Sequence, residues 1–119
     1  MQKVYRLSKS STFSYIYRNG KSYASKPLVL LFAPTKFGMK VGFSVSKKVG
    51  KSVVRSKVKR RLSEAFRSLI PFIDHGYNYV IVARSASAEA TYAELKRSLI
   101  YTLKKCGLID TARSAEYEI

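Results

Sequence analysis

Apolar residues recur along this chain with two different periods, which separate predicted helices from predicted strands. A first helix is predicted over residues 8–18, because Phe13, Ile16 and Tyr17 follow the three- and four-residue spacing of one helical face. Gly20 comes shortly after and is predicted to end this helix in the left-handed conformation.

Two extended segments follow this helix. Residues 28–33 form a continuous apolar run, which is typical of a buried strand, and residues 40–46 alternate as a half-buried strand does. Residues 34–38 lie between them and carry turn-forming residues, so the two strands are predicted to form a hairpin.

The second half of the chain returns to helical periodicity and contains one more strand. Ser52–Leu69 has apolar residues on one side, and Pro71 is predicted to end that helix. Tyr77–Ala83 is an apolar run rich in strand formers, and residues 91–106 form a last helix that stops at Gly107. Four residues of this helix are predicted to face the core: Tyr92, Leu95, Leu99 and Leu103. The order of elements predicts an α+β fold, a two-layer sandwich with helices packed on a sheet.

The chain is predicted to form one domain. It has 119 residues and no internal repeat or linker, so the domain is placed at residues 1–109, and residues 110–119 are predicted to be a disordered acidic tail. Cys106 is the only cysteine, and no apolar stretch has the length of a signal or spanning segment. These features favour a cytoplasmic protein that has no membrane partner.

The charge is strongly unbalanced. The formal net charge is +16, from 23 Lys and Arg against 7 Asp and Glu. Such an excess causes self-repulsion unless a polyanion relieves it, which predicts a nucleic acid partner. Nine of the basic residues fall within residues 47–67, where Glu64 is the single acid.

This basic segment contains the helix with the apolar stripe, so the core is expected to hold its charges on the opposite face. Arg55, Lys59 and Ser63 are spaced by four residues, with Ser56 and Arg60 beside them, and form a ridge of donors for successive phosphates. The residues predicted to contact RNA are Lys47, Lys48, Lys51, Arg55, Ser56, Lys57, Lys59, Arg60, Arg61 and Arg67.

Aromatic residues near the ridge favour single-stranded or structured RNA over duplex DNA, because unpaired bases need flat surfaces for stacking. Phe13 and Tyr17 share a helical face, and Phe43 lies on the strand that leads into the basic segment. Each of the three could instead belong to the core, and the pattern leaves this alternative open.

Catalysis by protein groups is not expected. The only histidine, His75, lies in a predicted turn, and the acidic residues lack the spacing of metal ligands, so no catalytic residue and no metal site is predicted. Two other classes explain the charge as well. One is a non-catalytic ribosomal or RNA-chaperone protein, and the other is a cationic protein that binds membrane surfaces through an amphipathic helix.

The most specific pattern runs from the second predicted strand into the basic helix. Residues 42–51 read Gly-Phe-Ser-Val-Ser-Lys-Lys-Val-Gly-Lys, and Val53-Val54-Arg55 and Lys59-Arg60 follow. This segment strongly resembles the signature of bacterial ribonuclease P protein subunits. The similarity extends over nearly all of the chain before the acidic tail.

The resemblance implies a protein cofactor of an RNA enzyme. In that family the RNA subunit carries out a Mg²⁺-dependent hydrolysis that removes the 5′ leader of precursor tRNA. The implied partners are ribonuclease P catalytic RNA and precursor tRNA, and no protein partner is required. The implied fold has about four strands and three helices in the order α-β-β-β-α-β-α, with a left-handed β-α-β crossover.

The resemblance also implies site residues, position by position. Arg55, Lys59 and Arg60 match the basic motif of the family, whereas Ser56 and Ser63 stand where the motif has asparagine and arginine. The residues expected in a leader-binding cleft are Phe13, Tyr17, Leu31, Phe43, Ser56 and Lys59.

Overall fold

The computed structural model describes residues 6–7 and 10–110, which form three α-helices and four strands. In chain order these are α1 (Ser10–Asn19), β1 (Lys21–Ala24), β2 (Leu28–Pro34), β3 (Val41–Ser44), α2 (Ser52–Leu69), β4 (Tyr77–Ala83) and α3 (Tyr92–Lys105). Short 3₁₀ turns at Ile70–Phe72 and Ser85–Ala88 follow α2 and β4. This order confirms the predicted α+β fold. None of the described helices is both long and apolar enough to cross a membrane.

The strands form one mixed sheet in the order β1-β2-β4-β3. β2 is antiparallel to both neighbours, with Leu30 opposite Tyr23 on β1 and opposite Ile81 on β4. β3 runs parallel to β4, with Phe43 opposite Ile81. Since α2 joins β3 to β4, these three elements form a β-α-β unit, and β1 and β3 are the two edges of the sheet.

The predicted hairpin between residues 28–33 and 40–46 is wrong, because β4 lies between β2 and β3. Residues 79–81 of β4 are fully buried. A strand that is apolar on both faces is stable in the middle of a sheet, where helices cover both of its sides. The loop after β2 therefore carries the chain past the centre of the sheet to its far edge.

Helices cover both faces of the sheet. α2 and α3 pack on one face and enclose the main core, which includes Leu30, Val58, Leu62, Phe66, Tyr79, Ile81, Leu95, Leu99 and Leu103. α1 lies on the other face, where Ile16 packs with Leu31, Ala33 and Val80. Tyr92 was predicted to face inward but is 38% exposed, because it occupies the first turn of α3 and Leu95 is the first residue to reach the core.

Two glycines follow helices for different reasons. Gly107 has a φ of 71° after α3, which confirms the predicted left-handed stop. The same prediction for Gly20 is wrong, since Gly20 is not among the residues with positive φ. A β-carbon at Gly20 would lie 2.9 Å from the carbonyl oxygen of Phe32. It would also lie 2.5 Å from the carbonyl oxygen of Ile16, so the last turn of α1 and its close approach to β2 both require glycine at this position.

The described chain ends against the loop after α2. Ile109 is buried and pairs with Ile73, and the backbone N–H of Asp110 donates to the carbonyl oxygen of Phe72 at 2.8 Å. Residues 111–119, which make up most of the predicted acidic tail, lie outside the described residues.

Candidate nucleic-acid interface

A groove of about 1100 Å³ runs along β3, between α2 and the segment that leads into α1. Its volume is close to the upper end of the roughly 300–1,000 Å³ range of pockets for small molecules. Because β3 is an edge strand, the groove lies at the side of the sheet. A long open groove of this kind suits a segment of a polymer.

The floor of the groove is the edge strand itself. Val41 and Phe43 pack with the core on the α2 side of the sheet, and Gly42 faces Leu7 and Phe13 on the α1 side. The backbone N–H of Leu7 donates to the carbonyl oxygen of Val41 at 2.8 Å, and Arg6 pairs with Val41 as a parallel bridge. Residues 6–7 therefore extend the edge of the sheet and form one rim of the groove.

Phe13 is half-buried and lines the groove from α1. A β-carbon added at Gly42 would lie 2.6 Å from Cε1 of Phe13, so the ring occupies the space that a side chain on β3 would need. Phe13 also packs against the small core under α1. Its ring is therefore held in place by packing and is still accessible from the groove.

Phe43 packs against the core and also lines the groove. Its ring meets Phe66 edge to face, with centroids 6.3 Å apart and an interplanar angle of 82°, and it packs against the main core. It also lines the groove and remains half-buried. The core contact fixes the ring, while its outer side remains available for a ligand.

α2 supplies the basic wall. Val58, Leu62 and Phe66 are almost completely buried and fix the rotation of the helix. The opposite face lines the groove with Ser56, Lys59, Arg60, Ser63, Glu64 and Arg67. From the first to the last of these the helix advances about 16 Å. Counting Arg6 on the other rim, the groove is lined by four cations and one carboxylate, so its potential favours an anion.

Arg55 lies at the junction of α2 and the turn before it. It is half-buried, and its Nε donates to the carbonyl oxygen of Gly50 at 3.2 Å. Gly50 has a φ of 155°, and a β-carbon there would lie 3.1 Å from Cβ of Val54.

Arg55 does not line the groove. The same holds for three other residues predicted to contact RNA, which are exposed on the turn before α2: Lys47, Lys48 and Lys51.

Arg61 and Lys57 also lie away from the groove. Nη1 of Arg61 donates to the carbonyl oxygen of Ala90 at 2.9 Å, so this side chain ties α2 to the segment before α3. Lys57 is exposed and borders a smaller hollow of about 370 Å³, which it shares with Ser56 and Arg60. Arg61 therefore makes a hydrogen bond within the fold, whereas Lys57 lies on the surface.

Two residues expected in the leader cleft do not line the groove. Leu31 is buried beneath α1 with Ile16 and Val80. Tyr17 is 47% exposed on α1. The groove brings together the other four expected residues: Phe13, Phe43, Ser56 and Lys59.

Several lining residues were not predicted. Arg6, Leu7, Val41, Gly42 and Glu64 line the groove but were not assigned to the site. Gly42 opens the signature segment, which could have drawn attention to it. The periodicity of apolar residues did not indicate where residues 6–7 lie, because their position depends on pairing with a strand more than thirty residues away.

The side chains that line the groove are of types that bind nucleic acids. Within residues 6–7 and 10–110, no three His, Cys, Asp or Glu side chains come together as metal ligands. His75 lies in a turn, as predicted; it is exposed, and its Nε2 lies 2.7 Å from the carbonyl oxygen of Ile70. The groove therefore offers cations and hydroxyls for phosphates and aromatic rings for bases.

Comparison with known proteins gives consistent matches. The family model for Ribonuclease P matches residues 1–107. A ribonuclease P protein component from Alkaliphilus oremlandii is 40% identical over 113 residues, covering 94% of this chain and 99% of the relative. One from Geobacillus kaustophilus is 41% identical, covering 90% of each chain.

The fold comparison agrees with these matches. The solved structure of the Staphylococcus aureus RNase P protein has a TM-score of 0.82 and 31% identity, covering 91% of this chain and all of the other. The RNase P protein from Thermotoga maritima has a TM-score of 0.76 and 28% identity, covering 84% of this chain and 96% of the other.

Proposed function

This chain belongs to the ribonuclease P protein component family, and on that premise we propose that its groove holds the 5′ leader of precursor tRNA. The basic surface of α2 and the turn at residues 47–51 bind the ribonuclease P catalytic RNA in this proposal. The family acts in tRNA 5′ processing together with an RNA subunit, so a partner RNA is part of its function.

One observation supports the groove as the leader site. Phe13 and Phe43 lie in the same groove as Lys59, Arg60 and Arg67. Single-stranded RNA needs this combination, because its bases stack on aromatic rings while its phosphates contact cations. Both rings are fixed by packing, which reduces the entropy lost when they bind.

The catalytic groups and Mg²⁺ are proposed to belong to the RNA subunit. The side chains that line the groove are mostly cations, hydroxyls and apolar groups, and Glu64 is the one carboxylate among them. Hard cations such as Mg²⁺ take oxygen ligands, and one carboxylate beside four cations is a poor ligand set. When bound to the RNA, Mg²⁺ would supply the activated nucleophile.

The protein then contributes to cleavage in two ways. Its charge of +16 lowers the repulsion between the catalytic RNA and the substrate, which are both polyanions. The groove adds contacts to the leader, which mature tRNA lacks. We therefore expect this chain to increase the affinity for precursor tRNA more than the affinity for the product.

The direct test is reconstitution. The purified chain is added to a bacterial ribonuclease P RNA and a precursor tRNA at low Mg²⁺ concentration, and cleavage at the mature 5′ end is measured. Stimulated, site-specific cleavage is the expected result. A chain that binds the RNA without stimulating this cleavage would instead act as a ribosomal or RNA-chaperone protein.

A matched pair of variants tests the groove. Phe13→Leu removes a flat ring but keeps an apolar side chain, and Phe37→Leu makes the same change at a residue that is 92% exposed outside the groove. Phe13→Leu should weaken binding of precursor tRNA to the holoenzyme and leave mature tRNA unaffected, while Phe37→Leu changes neither. Equal losses for both substrates would show that Phe13 is only structural.

The membrane-surface alternative finds no support in the fold. An amphipathic helix binds a bilayer through its apolar face. In α2 that face is occupied by the core, where Val58, Leu62 and Phe66 are at most 1% exposed.

A further inference from the structure

The sheet edge opposite the groove carries a second group of aromatic and basic side chains. Tyr23 on β1 and Tyr101 on α3 meet edge to face, with ring centroids 6.0 Å apart and an interplanar angle of 67°. Nζ of Lys105 lies 5.6 Å from the centroid of the Tyr101 ring. Tyr101 is 48% exposed. This edge therefore presents an aromatic surface to solvent beside a cation.

Further cations surround the tyrosine pair. Lys21 precedes Tyr23 by two residues on β1, so both side chains lie on the same face of the strand. Arg97 and Lys105 lie four residues before and after Tyr101, on the same side of α3. All three cations are exposed. We refer to Lys21, Tyr23, Arg97, Tyr101 and Lys105 as the β1-edge patch.

The nearest acid along this side of α3 is Glu94, which serves the start of the helix and whose charge also attracts Arg97. The carboxylate of Glu94 accepts the backbone N–H of Thr91 at 2.9 Å in a capping box. Hydrogen bonding with Tyr101 raises the pKa of Tyr23, so the Tyr23 hydroxyl stays neutral at physiological pH. The patch itself contains two tyrosine rings and three basic side chains, so the single acid beside Arg97 leaves it with an excess of positive charge.

The β1-edge patch is separate from the groove. β1 and β3 are opposite edges, with β2 and β4 between them, which places the two edges about 14 Å apart across the sheet. No residue of the patch lines the groove. A ligand on the patch is therefore a second contact.

Charge and shape favour RNA as the occupant. A base can stack on the exposed Tyr101 ring in place of the Lys105 ammonium group that lies over it, and the phosphates that flank the base can then contact Arg97 and Lys105. A second copy of this chain would bring one positively charged patch against another surface of a molecule with a net charge of +16. We propose that the β1-edge patch is a second binding site for single-stranded RNA, with a base stacked on Tyr101 and the neighbouring phosphates on Arg97 and Lys105. This goes beyond the proposed function, which concerns the groove.

The test is a titration of the full ¹⁵N-labelled chain with hexauridylate, followed by NMR. It is repeated with the groove variant Lys59→Gln, Arg60→Gln, Arg67→Gln, which weakens the other site. In both proteins the backbone amides of Tyr23 and Tyr101 should shift as RNA is added. Shifts confined to α2 and β3, with none at the patch, would overturn the proposal.

Substitutions at two exposed tyrosines of α3 distinguish the loss of base stacking from an effect that any lost tyrosine on this helix would cause. In the groove variant, Tyr101→Leu should weaken hexauridylate binding roughly 5-fold or more, whereas Tyr101→Phe, which keeps the ring, should bind as before. Tyr92→Leu is the matched control on another side of the helix. An equal loss with Tyr92→Leu and Tyr101→Leu would contradict stacking at the patch.

Sedimentation without RNA tests whether a second copy of this chain occupies the patch instead. The chain should remain monomeric with or without Tyr101→Leu. A dimer that Tyr101→Leu dissociates would assign the patch to contacts between copies and overturn the RNA proposal. None of these results depends on cleavage stimulation, so failure here is distinguishable from failure of the proposed function.

Discussion

The ring of Phe13 lies where a side chain at Gly42 would otherwise project from β3. A β-carbon at Gly42 would stand 2.6 Å from Cε1 of Phe13 and 3.3 Å from Cδ2 of Leu7. The two residues are 29 positions apart in sequence. Their contact forms the aromatic side of the groove and adds to the packing of α1 on the sheet.

Gly42→Ala should therefore damage stability and binding together. The added methyl group overlaps the Phe13 ring, and overpacking of this kind costs about 1–3 kcal/mol of the free energy of unfolding. The displaced ring should also weaken binding of precursor tRNA. Urea unfolding and binding to the holoenzyme measure the two effects.

A double-mutant cycle identifies the cause of that loss. Adding Phe13→Leu to Gly42→Ala gives the methyl group more room. The double variant should therefore lose less free energy of unfolding than the sum of the losses of the two single variants. Additive losses would mean that the alanine acts on some contact other than Phe13.

Two adjacent arginines of α2 should behave differently. Arg60 lines the groove, whereas Arg61 donates to the carbonyl oxygen of Ala90 at 2.9 Å. Arg60→Gln should reduce the slope of log affinity for RNA against log salt by about 0.7–0.9, the value for one phosphate contact. Arg61→Gln should leave that slope unchanged and lower the free energy of unfolding by roughly 1 kcal/mol. Salt titrations and denaturation of both variants measure these effects, and a slope change in Arg61→Gln would show that this residue contacts phosphate.

Tyr17 is expected to contact the leader beyond the groove. It is 47% exposed on α1, so Tyr17→Ala should leave the fold intact. The variant should lose affinity for precursor tRNA and keep its affinity for mature tRNA. Tyr15→Ala is the matched control, because Tyr15 is 55% exposed on the same helix. Comparable behaviour of the two variants would remove Tyr17 from the leader site.

The start of α3 predicts a pH dependence of stability. The hydrogen bond from Thr91 lowers the pKa of Glu94 in the folded protein. The ionised carboxylate therefore stabilises the fold above its unfolded pKa of about 4.3, and this contribution is lost as the pH falls through the lower folded pKa. Glu94→Gln should be less stable than the parent protein near pH 7, and the difference should disappear in acid. Urea unfolding at several pH values measures it, with the exposed Glu89→Gln as control.

Much of the local structure was predictable because it depends on residues near in sequence. The apolar stripe of α2 follows from helical periodicity, which is why Val58, Leu62 and Phe66 are buried as predicted. The basic face opposite to it follows from the same geometry. The stop at Gly107 is also local, since it needs only a residue that tolerates positive φ.

Other features depend on which residues pack beside a segment. The periodicity of the segment itself does not contain this information. Arg61 and Lys57 belong to the same basic segment, but only Arg61 donates a hydrogen bond to the carbonyl oxygen of Ala90. Gly20 was expected to need a left-handed turn, and it is instead required by the carbonyl oxygens of Ile16 in its own helix and of Phe32 on β2. In each case one partner is distant in sequence, namely Ala90 for Arg61 and Phe32 for Gly20.

The sequence by itself determined the helices, the strands after residue 28, and the concentration of charge on one helix, because these follow from short-range spacing and composition. Only the tertiary structure decided that β4 separates β2 from β3 and that Phe13, Phe43 and the basic face of α2 share one groove. The physical reason is that strand order is set by the burial of both faces of β4. This long-range requirement leaves β3 at the edge, where α1 and α2 can flank it.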